Sequence, residues 1–185
     1  MRHMETIIKR VKKGQLDKDS IEMAGAILKK GGLVAFPTET VYGLGANALD
    51  KNAVENIFRA KGRPQDNPLI VHVSKPEDIT KYAVTENNKY FEILKDEMPA
   101  PLTVILPKRD VIPTEVCAGL DSVGMRVPLS KIARKLIECA GVPVAAPSAN
   151  LSGKPSPTCA KHVIDDMTGR ADVIIDGSFS TVGVE

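Results

Sequence analysis

Cysteine is scarce and unpaired in this sequence: Cys117, Cys139 and Cys159 are an odd number, widely spaced, with no C-x-x-C pair. That argues against a disulfide framework and a thiolate zinc site, and leaves them as small buried or surface residues. An excess of one charge is lacking too. Lys plus Arg total 25 against 23 for Asp plus Glu, so a net charge of +2 gives no global field for gripping nucleic acid or an anionic membrane. The nearest thing to an asymmetry is the stretch to Lys30, where Arg2, Lys9, Arg10, Lys12, Lys13, Lys18, Lys29 and Lys30 face four acids, a pattern that a solvated face also explains. The opening MRHMETIIKRVKK has no apolar core of a signal peptide, and no apolar run approaches the ~20 residues of a membrane span. A cytoplasmic, soluble protein without membrane partners is expected. Internal repeats and low-complexity tracts are also missing.

With 185 residues and 43% hydrophobic content, the chain can bury a sizeable core, and one domain over 1–185 is the expectation. Short β-branched runs alternate with amphipathic stretches. The spacing predicts strands near 6–11, 33–36, 69–73, 102–106, 122–127, 142–146 and 173–175, and helices over 20–30, 51–61, 86–97, 130–140 and 158–167. Local chemistry sets the helix limits: Ser20 as cap and Gly31-Gly32 as terminator of the first, Asp50 as cap of the second, Pro99 after the third, and Gly141 and Gly169 after the last two. Loops rich in Pro, Gly and Ser argue against a purely parallel sheet. The expected fold is α/β, a twisted mixed parallel and antiparallel sheet with flanking helices.

Four segments carry chemistry. In GGLVAFPTETVYGLGANALD a short strand ends at Pro37 and runs into a polar loop, where Thr38 and Thr40 offer hydroxyls and Gly43 and Gly45 allow a ligand close to the backbone. Gly43-x-Gly45-x-x-Ala48 also matches a loose dinucleotide fingerprint, but six residues separate Phe36 from Gly43, so an oxidoreductase fits poorly. In FRAKGRPQDNPLIVHV, Lys61 and Arg63 suit phosphate oxygens, and equally suit the end of a helix with Gly62 beyond it. His72 shares a strand face with Ile70, where a structural role is the ordinary one. In DSVGMRVP, Arg126 lies among apolar residues and needs an anion, either a substrate carboxylate or an internal Asp or Glu. In VPVAAPSANLSGKPSP, Ser148, Asn150, Ser152 and Ser156 cluster around Gly153 and Lys154. This loop can face a nucleotide, but it is no Walker A loop, and Ser148 sits in no nucleophile elbow.

Taken together, PTETVYGLG, KGRPQDNPLIVHV, VGMRVP and APSANLSGKPSPT, in this order and spacing, resemble the YrdC-type threonylcarbamoyl-AMP synthase family. The resemblance implies a concave cavity on a mixed sheet with ATP at one end and L-threonine at the other. By residue match, Lys61, Arg63, Ser148 and Asn150 are the implied catalytic set. The same four, with Ser122 and Ser156, would surround ATP. Thr38, His72, Arg126 and Ala146 would lie on the threonine side. The implied reaction joins L-threonine, bicarbonate and ATP into threonylcarbamoyl-AMP and pyrophosphate for tRNA modification, with Mg²⁺ carried on the ATP phosphates. Threonylcarbamoyl-transferase proteins would receive the product.

Family members usually continue past the Asp176 region to a G-V-E-S-T motif, whereas this sequence reads GSFSTVGVE and stops at Glu185, so a domain truncated at its C-terminus is expected. The competing reading is a noncatalytic domain binding double-stranded RNA or tRNA, which the near-neutral charge disfavours.

Overall fold

The computed structural model describes residues 5–11, 17–177 and 179–183. Arg2, Lys12 and Lys13 of the basic N-terminal stretch lie outside them. The strands are β1 (Ile7–Arg10), β2 (Val34–Pro37), β3 (Tyr42–Asn47), β4 (Ile70–His72), β5 (Thr103–Pro107), β6 (Ser122–Arg126), β7 (Val144–Ala145) and β8 (Val173–Asp176). The helices are α1 (Lys18–Lys29), α2 (Lys51–Lys61), α3 (Lys89–Lys95), α4 (Lys131–Ala140) and α5 (Ala160–Met167), with a 3-10 helix at Pro76–Lys81.

The strands form one mixed sheet in the order β1-β8-β2-β3-β7-β4-β6-β5. β1, β8 and β2 run parallel, as do β4 and β6, while β3 is antiparallel to β2 and β7, β7 to β4, and β5 to β6. The expected mixed α/β fold is therefore present.

α2 follows its local signals closely. Asp50 accepts from the Asn52 and Ala53 backbone N–H groups, and Gly62 closes the helix at φ 62°, a left-handed conformation that glycine takes without cost. α4 is capped by Ser130, whose side chain accepts from Ala133 N, and ended by Gly141. Elsewhere the limits move. α1 starts at Lys18 behind Asp17 rather than at Ser20, α3 shrinks to the turns after its Asn88 cap, and the strand expected over 142–146 keeps only Val144 and Ala145.

The larger correction is β3. Residues 42–47 are no ligand loop but a buried strand, paired on both edges with β2 and β7. A Cβ on Gly45 would stand 2.7 Å from both Phe36 Cε1 and Val144 Cγ1, so this glycine makes room for core packing, not for a ligand. Pro37 is the last residue of β2, and only 38–41 form the turn to β3.

Apolar residues fill both sheet faces unequally. On one face Ala35, Leu44, Val71, Val104, Val123, Met125 and Ile174 pack with residues of α2 and α5 and with Phe91 of α3. On the other, Val34, Phe36, Val144, Val173 and Ile175 pack with α1 and α4. That second face loses its cover toward β6 and β5. Alternation leaves Ser122, Gly124 and Arg126 half-buried between buried Val123 and Met125, and Ile105 on β5 is 75% exposed. This open patch lies beside the residues that carry the chemistry.

Candidate active site

The sheet register brings the first group together. His72 pairs with Arg126 across β4 and β6, so both side chains leave the sheet on one face. The turn between β2 and β3 reaches over them. Thr38 Oγ1 donates to Val41 O at 2.6 Å, contacts Thr40 Oγ1 at 3.2 Å, and accepts from the Thr40 N–H at 3.2 Å, which folds the turn and buries its hydroxyls. Arg126 Nη2 donates to Glu39 Oε1 and, at 3.2 Å, to Thr40 Oγ1. The other carboxylate oxygen of Glu39 accepts from Ser130 N at 3.1 Å. The anion that a buried arginine requires is thus an internal one, Glu39, within the PTET run. Burial alone would raise the Glu39 carboxyl's pKa, but the Arg126 guanidinium and backbone N–H donors outweigh it and hold the group below its ordinary value.

Not everything here is satisfied. Among the described residues, three buried side-chain polar atoms have no hydrogen-bond partner: His72 Nδ1, Arg126 Nε and Ser180 Oγ. Two of the three are register partners on neighbouring strands. Burial and the adjacent Arg126 charge push the His72 pKa down to about 4, so the imidazole is neutral at physiological pH. A neutral ring nitrogen and a cationic N–H without protein partners suit a polar ligand that carries a carboxylate.

The second group is built from the end of α2 and the loop after β7. Lys61 is 3% exposed, and its ammonium donates to Ser148 O, to Asn150 O at 2.8 Å and to Asn150 Oδ1 at 3.4 Å. Asn150 Nδ2 then donates to Leu151 O at 3.0 Å and Lys154 O at 2.6 Å, and Lys154 pairs with Asp166 at 2.5 Å. Lys61 therefore holds the 148–150 loop in shape, with its charge beneath it. Arg63 is half-buried, and its guanidinium makes no ion pair among the described residues.

Both groups hang on the same strands. Gly43 bridges Ser148, Leu44 N donates to Pro147 O at 2.9 Å, and Ala146 N donates to Ile70 O at 3.0 Å. Ser156 is half-buried beside Pro157, whose carbonyl accepts from Tyr42 N. Ser122 shares a sheet face with Arg126 but sits at the other end of β6, about 13 Å away at ~3.3 Å per residue. The structure thus links His72 and Arg126 with the Thr38 turn, and Lys61 with Ser148 and Asn150, while Ala146, two residues before Ser148, is tied to Ile70.

Glu39 and Ser130 were missed by the sequence reading, whereas Thr40 was named there with Thr38 as a loop hydroxyl. The signal for Glu39 was available: a buried arginine needs an anion, and Glu39 lies inside a motif already singled out. A third addition is the C-terminal stretch, where Ser180 N donates to Thr158 O at 2.8 Å and Val182 N to Glu39 O at 2.7 Å. It joins the Thr38 turn to the segment after Ser156.

Residues 26–185 match the Sua5_yciO_yrdC family model, described as "Telomere recombination". The chain belongs to this family. Similar members include the threonylcarbamoyl-AMP synthase of Pyrococcus abyssi, 51% identical over 180 residues, covering 97% of this chain and 53% of the relative. That of Bacillus subtilis is 52% identical over 169 residues, covering 89% of this chain and 48% of the relative. The crystal structure of P. abyssi Sua5 complexed with L-threonine superposes with a TM-score of 0.93 at 51% identity, covering 97% of this chain and 53% of that one. The YrdC-type resemblance read from the four motifs is thereby borne out. The chain spans about half the length of these curated relatives. Among the described residues no helix is long and apolar enough to cross a membrane.

Proposed function

We propose that this chain carries the catalytic site of a threonylcarbamoyl-AMP synthase, which forms threonylcarbamoyl-AMP and pyrophosphate from L-threonine, bicarbonate and ATP. The observation that carries the reading is the pair of polar atoms left unpartnered among the described residues, Arg126 Nε and His72 Nδ1, on adjacent strands of a family member whose relative binds L-threonine.

In this reading Arg126 Nε takes an oxygen of the threonine carboxylate, and Thr38, His72 and the backbone near Ala146 complete that side. The threonine amine attacks the carbon of carbon dioxide, which bicarbonate yields by taking up a proton and losing water. An N–C bond forms, the nitrogen gives up a proton, and a carbamate results. A carbamate oxygen then attacks the α-phosphorus of ATP, and pyrophosphate leaves with the electrons of the broken P–O bond. Arg63, whose guanidinium makes no ion pair among the described residues, and the loop that Lys61 holds at Ser148 and Asn150 would bind the ATP phosphates, with Ser156 and Ser122 toward the nucleoside. Nucleotidyl transfer of this kind rests on positioning and charge neutralisation, so no protein nucleophile is required.

Among the described residues no group of three or more His, Cys, Asp or Glu side chains could hold a metal ion. In this reading Mg²⁺ is carried on the ATP phosphates. Proteins that pass the labile product on to tRNA are the partners the chemistry implies.

The test is pyrophosphate release from ATP and bicarbonate, with and without L-threonine and without RNA. Threonine-dependent release is expected. Release that ignores threonine, or ATP and threonine binding only with RNA present, overturns the reading.

A further inference from the structure

We propose that Glu39 is a positioning residue for amino-acid recognition: its buried carboxylate pins one nitrogen of Arg126 and so fixes the Nε edge of the guanidinium toward the substrate carboxylate. The proposal rests on the threonine reading of this side of the site. It assigns a role to a residue that touches no substrate.

The geometry is specific. Glu39 is buried with both carboxylate oxygens already taken by protein donors, so it is not a substrate ligand itself. Its two carboxylate oxygens are taken by different elements, Oε1 by Arg126 Nη2 from β6 and Oε2 by the Ser130 N–H at the start of α4. Its own carbonyl accepts from Val182 N at 2.7 Å. The carboxylate therefore cannot swing without breaking a contact to α4. Ser130 is fixed in turn, since its Oγ donates to Pro37 O at 2.9 Å.

Arg126, by contrast, is held at one end. Among the described residues its two side-chain hydrogen bonds both involve Nη2, while Nε–H is buried and has no acceptor. An arginine side chain has many rotamers, and each one lost beforehand is not lost on binding. A guanidinium anchored through Nη2 presents its remaining N–H groups in a fixed plane, which is the arrangement that carboxylate recognition needs. The charge balance adds a second consequence. Arg126 is cationic and Glu39 anionic, so the protein's contribution on this side is close to neutral, and with His72 also neutral it suits a carboxylate of single charge rather than a dianion.

The experiment compares the wild-type 185-residue chain with Glu39→Gln, which keeps the shape and removes the charge, and Glu39→Asp, which keeps the charge but moves it one methylene away from Arg126. L-threonine binding is followed by calorimetry, and the Michaelis constants for threonine and ATP by pyrophosphate release. Each variant is expected to weaken threonine binding about tenfold, the loss of one ordinary charge-assisted hydrogen bond, with the ATP constant within about twofold of wild type. In an Arg126→Ala background Glu39→Gln should weaken threonine binding no further, because nothing remains to position. A carboxylate that merely stabilises the fold would impair both substrates alike. Wild-type threonine affinity in whichever variant folds overturns the proposal, as do losses that multiply in the double variant. If the wild-type chain binds no threonine, the functional reading fails and this role with it, whereas binding by wild type and Glu39→Gln alike removes the role of Glu39 alone.

Discussion

His72 should make the protein acid-sensitive, and by a calculable amount. The imidazole is 4% exposed, and the groups facing it are the Arg126 guanidinium from β6 and the Glu39 carboxylate from the turn before β3. Burial and the arginine drive its pKa from 6.5 down to about 4, with Glu39 opposing in part. The folded state therefore resists protonation that the unfolded chain accepts. Between those two values the unfolded state binds more protons, so stability is fully present above about pH 6.5 and is lost as pH falls toward 4. Going from about pH 7 to about pH 4.5, this single group should remove roughly 2–3 kcal/mol, from the ratio of the two binding polynomials. Urea unfolding of the wild type and of His72→Gln at both pH values isolates the effect, since carboxylates such as Glu39 titrate in both proteins. The wild type should lose about 2–3 kcal/mol more than the variant on acidification. Equal losses would refute the reasoning, and so would an NMR titration placing the His72 pKa near 6.5.

Other consequences follow from the same contacts. Arg126→Ala leaves the Glu39 carboxylate buried without its cation and should cost about 3–5 kcal/mol in urea unfolding, part of which Glu39→Gln restores. Lys61→Ala should both raise the ATP requirement and lower stability by about 2–3 kcal/mol, because buried loop carbonyls lose their donor. Arg63→Ala should raise the ATP requirement with stability unchanged within about 0.5 kcal/mol, since its half-buried guanidinium makes no ion pair among the described residues. Gly45→Ala drives a methyl into Phe36 and Val144 and should destabilise by about 1–3 kcal/mol, read from the urea midpoint.

Helix α2 was legible from end to end because Asp50 and Gly62 are local signals that tertiary packing did not override. β3 was not, for an identifiable reason. Its two glycines resemble loop residues in sequence, yet Gly45 is set by the bulk of Phe36 and Val144, residues that only the folded sheet brings beside it. The same limit applied at α1, where Asp17 precedes the helix and Ser20 sits inside its first turn, its hydroxyl donating to Asp17 Oδ2. In the site, residue types pointed to the participants but not to their pairings. A buried arginine announced the need for an anion, while the choice between substrate and Glu39 depends on how the Thr38 turn lies over β6. Likewise Lys61 and the Ser148–Asn150 motif could be named together, but not that the ammonium would turn inward to the loop carbonyls.

The central claim is that one site joins an amino acid held at Arg126 to a nucleotide held at the 148–150 loop. Its most direct test is to incubate the chain with ATP, L-threonine and isotope-labelled bicarbonate and to examine the products by mass spectrometry. Threonylcarbamoyl-AMP carrying the label, formed in step with pyrophosphate and absent without threonine, is the expected result. Binding of both ATP and threonine without any labelled adduct, under conditions where a full-length relative makes it, would contradict the account.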